Sequence, residues 1–229
     1  ARPKSRMGRR LFAAVLLALC ALCVRADDEA EACFTFGTDL PNTPAVTFKL
    51  HRAWAPLGFD HLVDSVLPAS FYDDSAFFRV VDSFVVQFGI AGDPKMNARF
   101  NTSAIQDDPV SRSNLAGTLT YATAGPNTRT TQLFINLADN AFLDAQGFAP
   151  VGELLADGLA VASAITNPTP ADPNGINQQA YMSLGNAWLK AKYPTANFIT
   201  KVAKVDCPSP AQGVGGGEPA PEAVHSSSR

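Results

Sequence analysis

Histidine is scarce in this chain, and the familiar catalytic spacings are missing. Only His51, His61 and His225 occur. His225 lies in a low-complexity tail, and the ten-residue step from His51 to His61 fits no metal-ligand spacing. Both read as surface residues. There is no Gly-x-Ser-x-Gly elbow, no phosphate-binding loop and no dinucleotide fingerprint. The Gly213-Val214-Gly215-Gly216-Gly217 run lacks a flanking strand and helix and reads as linker. Hydrolase and redox chemistries therefore have no residues to carry them, and no metal or cofactor is expected.

Long apolar runs are also missing. The one candidate, Leu11 to Val24, falls short of the ~20 residues that span a bilayer comfortably. It follows Met7-Gly8-Arg9-Arg10 and ends at Val24-Arg25-Ala26, the layout of a secretory signal peptide cleaved after Ala26. Residues 1–6 precede Met7 and read as upstream sequence. Six of the 18 basic residues lie in 1–26, which hold no acid, so the rest carries 12 basic against 21 acidic residues, a formal −9. Nucleic-acid affinity comes largely from Lys and Arg on phosphate, so that class of partner is excluded. No membrane insertion is expected after leader removal. The expected destination is the secretory pathway, in the endoplasmic reticulum lumen or outside the cell, with another organelle lumen as the alternative.

Cysteine is nearly as sparse, with four residues. Cys20 and Cys23 form a Cys-x-x-Cys inside the removable apolar run, where redox or metal roles have no fold to serve. Cys33 and Cys207 remain, one at each end of the folding region. Two readings stand: a bridge closing a very long loop in an oxidising compartment, or two free buried thiols.

What the sequence does contain is short strands and rings, with 15 Phe among 229 residues. After a linker at 27–32, a single domain is expected over 33–207. Val46 to Leu50 alternates as a strand. Phe59, Leu62, Val63, Val66 and Leu67 fall at helical spacing, with Pro56 suited to the start and Pro68 to the end. Further strands are expected at Phe77–Val81, Phe84–Phe88, Gly117–Ala122, Gln132–Leu137 and Ile199–Val205. A second short helix is expected over Gly158–Thr166, followed by a Pro- and Asn-rich loop from Asn167 to Asn177. This is a mainly β pattern without βαβ alternation, pointing to a closed antiparallel barrel capped by two α-helices. From Pro208 onward, composition predicts a disordered tail.

Two segments stand out. One is Phe77-Phe78-Arg79-Val80-Val81-Asp82-Ser83-Phe84-Val85-Val86-Gln87-Phe88-Gly89. The other runs from Leu119 through Ala122-Thr123-Ala124-Gly125-Pro126-Asn127-Thr128 to Gln132-Leu133-Phe134-Ile135. An Arg among apolar strand residues must find a partner or line an opening, because an unpaired buried charge is costly. Spacing leaves both accounts of Arg79 open: a residue lining a site, or one that snorkels or pairs with an acid such as Asp82.

These segments resemble the cyclophilin family of peptidyl-prolyl cis–trans isomerases. The likeness extends through Trp54-Ala55-Pro56-Leu57-Gly58, Asp144-Ala145-Gln146-Gly147-Phe148-Ala149-Pro150 and Gly185-Asn186-Ala187-Trp188-Leu189-Lys190. It implies an eight-stranded closed barrel and rotation about X–Pro bonds. It also implies a catalytic Arg79 oriented by Gln87, a substrate-contacting Gln132, and pocket residues Phe84, Phe134 and Leu143, with a backbone contact at Ala122. Val85, Thr123, Phe142 and Phe148 sit at pocket positions where the common family pattern has Met, Asn, Trp and His. Implied partners are proline-containing peptides, unfolded or folding proteins, and cyclosporin-like ligands with altered affinity. Two alternatives stay open: a cyclophilin-like module that binds Pro-containing segments without useful turnover, and a purely structural barrel. Asn101-Thr102-Ser103 is a glycosylation sequon, used only if the chain enters the endoplasmic reticulum.

Overall fold

The computed structural model describes residues 30–42 and 44–208. The expected leader at 1–26 and the tail beyond Pro208 lie outside the described residues. The described residues form nine strands: β1 (Glu31–Thr38), β2 (Ala45–His51), β3 (Ser75–Ala76), β4 (Arg79–Val81), β5 (Val85–Phe88), β6 (Thr118–Tyr121), β7 (Leu133–Asn136), β8 (Pro150–Leu154) and β9 (Phe198–Val205). They form one antiparallel sheet in the order β3-β9-β1-β2-β8-β6-β7-β5-β4.

The sheet corrects the expectation of a closed eight-stranded barrel. It is an open ladder whose edges, β3 and β4, are consecutive in the chain. The ladder breaks at Phe77-Phe78, where the two N–H groups go in different directions, one to the Asn197 carbonyl at 3.0 Å and one to the Gln87 carbonyl at 3.1 Å. The strand expected at Phe77–Val81 is therefore split into two edge strands. β1 also begins at Glu31, inside the segment expected to be linker.

Alternation explains the core. In β2, Val46, Phe48 and Leu50 are buried, with half-exposed Thr47 and Lys49 between them. Phe36 gathers the rings of Phe48, Tyr72 and Phe88 at centroid separations of 5.1, 5.8 and 5.9 Å, edge-to-face with the two Phe rings and tilted against Tyr72, a cluster that accounts for part of the Phe content. β5 is buried on both faces. Val86 and Phe88 enter the main core, whereas Val85 belongs to a separate cluster with Phe134 and Leu143. This second face carries the site described below.

The helical content also departs from the two helices expected. Among the described residues there are four: α1 (Pro56–His61), which continues as a wider π turn over Leu62–Val66, α2 (Pro94–Phe100), α3 (Gly158–Ser163) and α4 (Gln178–Lys192). α4 lies within the stretch between α3 and β9. Its Tyr181 and Leu189, with Ile176, pack on Ala76, Phe78 and Phe198 as a satellite core. It bends at Gly185, whose φ is 67°; a Cβ there would meet the Gly92 carbonyl oxygen at 2.5 Å. Only glycine fits that joint.

Cys33, fully buried in β1, is bonded to Cys207 just beyond β9, with Cα atoms 5.1 Å apart. Neither His51 nor His61 is a free surface residue. The His51 ring stacks on Trp54 at 4.2 Å and sits between Glu31 and Glu153. His61 Nδ1 lies 3.2 Å from the Tyr121 hydroxyl, and burial followed by the Arg129 charge lowers its pKa from the usual imidazole value. Both sit where helix α1 and its approach pack on the sheet, which a spacing argument in sequence cannot see.

Candidate active site

Strand register brings the two motifs into one row. Arg79 on β4 pairs with Gln87 on β5, Gln87 with Phe134 on β7, and Phe134 with Thr120 on β6. Side chains on one face of a sheet alternate with period two, so Val85 and Gln87 share a face while Val86 and Phe88 point to the opposite core. Two residues beyond Thr120, Ala122 is tied to the Gln132 carbonyl at 2.9 Å, so the second motif folds back on itself at the row's end.

These residues line a cavity of about 310 Å³ formed by Arg79, Phe84, Val85, Gln87, Ala122, Thr123, Phe134, Phe142, Leu143, Gln146 and Phe148. That is near the lower end of the roughly 300–1,000 Å³ of small-ligand pockets. Its floor is apolar, with Val85, Phe134 and Leu143 each about 95% buried or more. Phe148 meets Phe134 edge-on at 5.7 Å, and Phe142, 58% exposed, stacks on Phe84 at 5.9 Å. Every site residue taken from the resemblance except Gln132 thus lines one cavity. Gln132 instead sits in a neighbouring groove of about 520 Å³, which shares Gln87, Ala122 and Thr123 with it.

Arg79 stands at the rim. It is held by two neutral oxygens: Nε donates to the Pro173 carbonyl at 2.8 Å and Nη1 to Gln87 Oε1 at 3.3 Å. Its guanidinium carbon lies 5.9 Å from the Phe84 ring centre. Asp82 is not its partner, and no ion pair to Arg79 occurs among the described residues. Burial lowers its pKa from the ordinary guanidinium value, yet a guanidinium remains charged at any working pH. The cation is therefore fixed without being neutralised, and its remaining N–H groups stay available to the cavity.

Beneath the pocket lies a polar network that the sequence reading missed. Asn140 Nδ2 donates to the Phe84 carbonyl at 3.0 Å and to Asn136 Oδ1 at 2.8 Å; Asn136 Nδ2 donates to Thr118 Oγ1 at 2.9 Å and Asn114 Oδ1 at 3.2 Å. Asn114 Nδ2 continues to Asp144 Oδ1 and the Phe148 carbonyl, both at 2.8 Å. The Asp144 carboxylate is disfavoured by burial, but hydrogen bonds from Ser113 and Asn114 outweigh this and hold its pKa below the usual value. Buried polar groups so fully paired rigidify what they touch. Here they anchor Phe84 and the 3₁₀ segment Ala141–Gln146, which bears Phe142 and Leu143. A polar Asn inside the apolar strand Leu133-Phe134-Ile135-Asn136 was the available signal.

The Ala124–Thr128 turn is clamped as well: Asp107 N donates to Asn127 Oδ1 at 2.9 Å, and Asn127 N donates to Asp107 Oδ2 at 2.8 Å. Next to it, buried Asp108 accepts from Leu57 N, Gly58 N and Arg129 Nη1 at 2.8–3.0 Å. Asn101 is exposed at the end of α2, on the rim of the neighbouring groove.

The profile of the family "Cyclophilin type peptidyl-prolyl cis-trans isomerase/CLD" matches residues 36–182. The chain is 34% identical over 168 residues to peptidyl-prolyl cis-trans isomerase A of Dickeya dadantii, covering 70% of this chain and 85% of that protein. It is 29% identical over 170 residues to a peptidyl-prolyl cis-trans isomerase of Acinetobacter baylyi, covering 72% and 87%. In fold it is similar to a cyclophilin type peptidyl-prolyl cis-trans isomerase of Cryptosporidium parvum, with a TM-score of 0.56 at 17% identity, covering 78% of this chain and 100% of that one. A second crystal structure of that protein, obtained in the presence of the dipeptide Ala-Pro, gives 0.55.

Proposed function

Because the chain belongs to the cyclophilin-type peptidyl-prolyl cis–trans isomerase family, we propose that the cavity beside Arg79 is where it rotates X–Pro bonds, with Arg79 as the catalytic group. The observation that carries this is a charged guanidinium, held by neutral oxygens alone, at the rim of an apolar pocket. An X–Pro amide resists rotation by about 18–20 kcal/mol because of resonance in its C–N bond. No bond breaks during rotation, so the catalyst need only favour the twisted amide over the planar one.

Each residue has a part in that. Val85, Phe134, Leu143 and Phe148 grip the pyrrolidine ring, and Phe84 and Phe142 wall the mouth. At the twisted state, conjugation is lost and the proline nitrogen gains a lone pair. A free N–H of Arg79 donates to it and weakens conjugation further. Gln87 orients Arg79, and the Ala122-Thr123 backbone with Gln132 receives the rest of the peptide. The Ala-Pro dipeptide named with the Cryptosporidium parvum structure fits a substrate of this chemistry. The test is isomerisation of a short X–Pro peptide by the folded domain. Acceleration above the uncatalysed rate, which takes tens to hundreds of seconds, is expected; an unchanged rate would overturn the proposal.

The clients in this reading are proteins folding in the secretory pathway. It is supported by the leader-like layout of residues 7–26 and by the bond between Cys33 and Cys207, since such bonds persist in oxidising compartments. Asn101 is exposed and accessible to a glycan there. Intact mass of the protein secreted from a eukaryotic host tests both points. The expected species starts at Asp27 and loses mass on endoglycosidase treatment; a full-length, unmodified chain retained in the cytosol would refute them.

A further inference from the structure

The hydrogen bonds that fix Arg79 do not end inside the two motifs. Gln87 Nε2 donates to Gln132 Oε1 at 2.9 Å, and Gln132 Nε2 donates to Gln178 Oε1 at 3.1 Å. Gln178 is the first residue of α4, capped by the Asn177 side chain, which accepts from Ala180 N at 2.9 Å. The direction of the relay is forced. A guanidinium has only donors, so Gln87 must present its oxygen to Arg79 and its amide nitrogen onward. The same logic turns Gln132 and leaves an acceptor as the required group at position 178.

The segment bearing Gln178 reaches the other side of Arg79 too. Pro173 supplies the carbonyl for Nε, and Ile176 N donates to the Phe78 carbonyl at 2.8 Å. Gly175, with φ 79°, packs so closely that a Cβ would lie 2.6 Å from the Arg79 Cβ. Residues 173–178 therefore hold the guanidinium at one end and terminate the amide relay at the other. Gln178 and Met182 also line the neighbouring groove.

We propose that Gln178 is a positioning residue for catalysis, acting on Arg79 through Gln132 and Gln87 by closing the relay with an acceptor. Without that acceptor, the Gln132 amide is free to rotate, Gln87 loses its fixed partner and the guanidinium samples more orientations. This rests on the isomerase reading above, and wild-type turnover of an X–Pro peptide tests that reading separately.

The experiment compares Gln178→Ala and Gln178→Glu, and combines Gln178→Ala with Gln132→Ala. Gln178→Ala is expected to lower kcat/KM about fivefold, the size of one neutral hydrogen bond, chiefly through kcat. Gln178→Glu keeps the acceptor and is expected to stay within about twofold of wild type, with the thermal midpoint showing whether a carboxylate in the first helical turn has stabilised α4. The double variant is expected to be no slower than Gln132→Ala alone, since residues acting as one unit are not additive. Wild-type activity in Gln178→Ala, an equal loss in Gln178→Glu, or additive losses in the double variant would each overturn the proposal. Thermal midpoints measured alongside identify any loss that is due to unfolding, and the non-additivity of the double variant with Gln132→Ala then decides.

Discussion

Replacing Arg79 with alanine is expected to lower kcat/KM for an X–Pro peptide by about 10²-fold while leaving the fold intact. A charged donor acting mainly at the transition state is worth about 3 kcal/mol, and each 1.36 kcal/mol is about tenfold in rate. The effect should fall on kcat, because the planar substrate has no nitrogen lone pair for the guanidinium to meet, whereas the ring pocket proposed to receive proline is untouched. Arg79→Lys separates charge from geometry. A lysine keeps the charge but has no planar fork, so it cannot be held by the Pro173 carbonyl and Gln87 while still donating into the cavity. It should recover only a minor part of the loss. Peptide isomerisation followed with both variants checks this, and Arg79→Ala rates within threefold of wild type would remove Arg79 from its role.

The loss is expected to be larger for Arg79 than for Gln178 because of where each stands in the relay. In the proposed mechanism Arg79 meets the reacting nitrogen, whereas Gln178 acts through two amides, each with some freedom of its own. The same ordering places Gln87 and Gln132 between them.

Much of this site was read from the family resemblance, whose two motifs lie on adjacent strands, whereas spacing alone left the role of Arg79 open. Arg79, Val85, Gln87 and Phe134 fall on one face by period-two alternation, and short motifs carry that spacing intact. The helix over residues 178–192 was not read because its buried stripe is Tyr181, Gly185 and Leu189, with a glycine in the middle that blurs the helical period. Its start did carry a signal in the capping residue Asn177, as did α2 in Asp93-Pro94. Pro173 and Gln178 reach the site across more than 40 residues of chain from Gln132, with no pattern to mark them. The open sheet was illegible for another reason. Phe77-Phe78 reads as strand by propensity, and only the diverging partners of its two N–H groups break the ladder.

The bond between Cys33 and Cys207 should contribute the largest single share of stability, about 3–5 kcal/mol. The two residues are 174 apart in sequence, and chain entropy for so large a loop gives roughly 5 kcal/mol. A denatured chain that is already compact lowers the figure, which sets the lower end of the range. The native geometry favours the bond independently: Cys33 pairs across the ladder with Val205, and just beyond the end of β9 the chain brings the Cys207 Cα to 5.1 Å from that of Cys33. Urea titration with and without reductant, and of the variant Cys33→Ala/Cys207→Ala, measures the effect. The midpoint should fall and the slope m should rise, because the unlinked chain exposes more surface when unfolded. Below the transition, kcat/KM should not change, since neither β1 nor the far end of β9 lends a side chain to the pocket. Unfolding free energies equal to within about 1 kcal/mol, or two titratable thiols in protein from an oxidising host, would instead mean that β1 and β9 are held by their ladder alone and that the two cysteines are free.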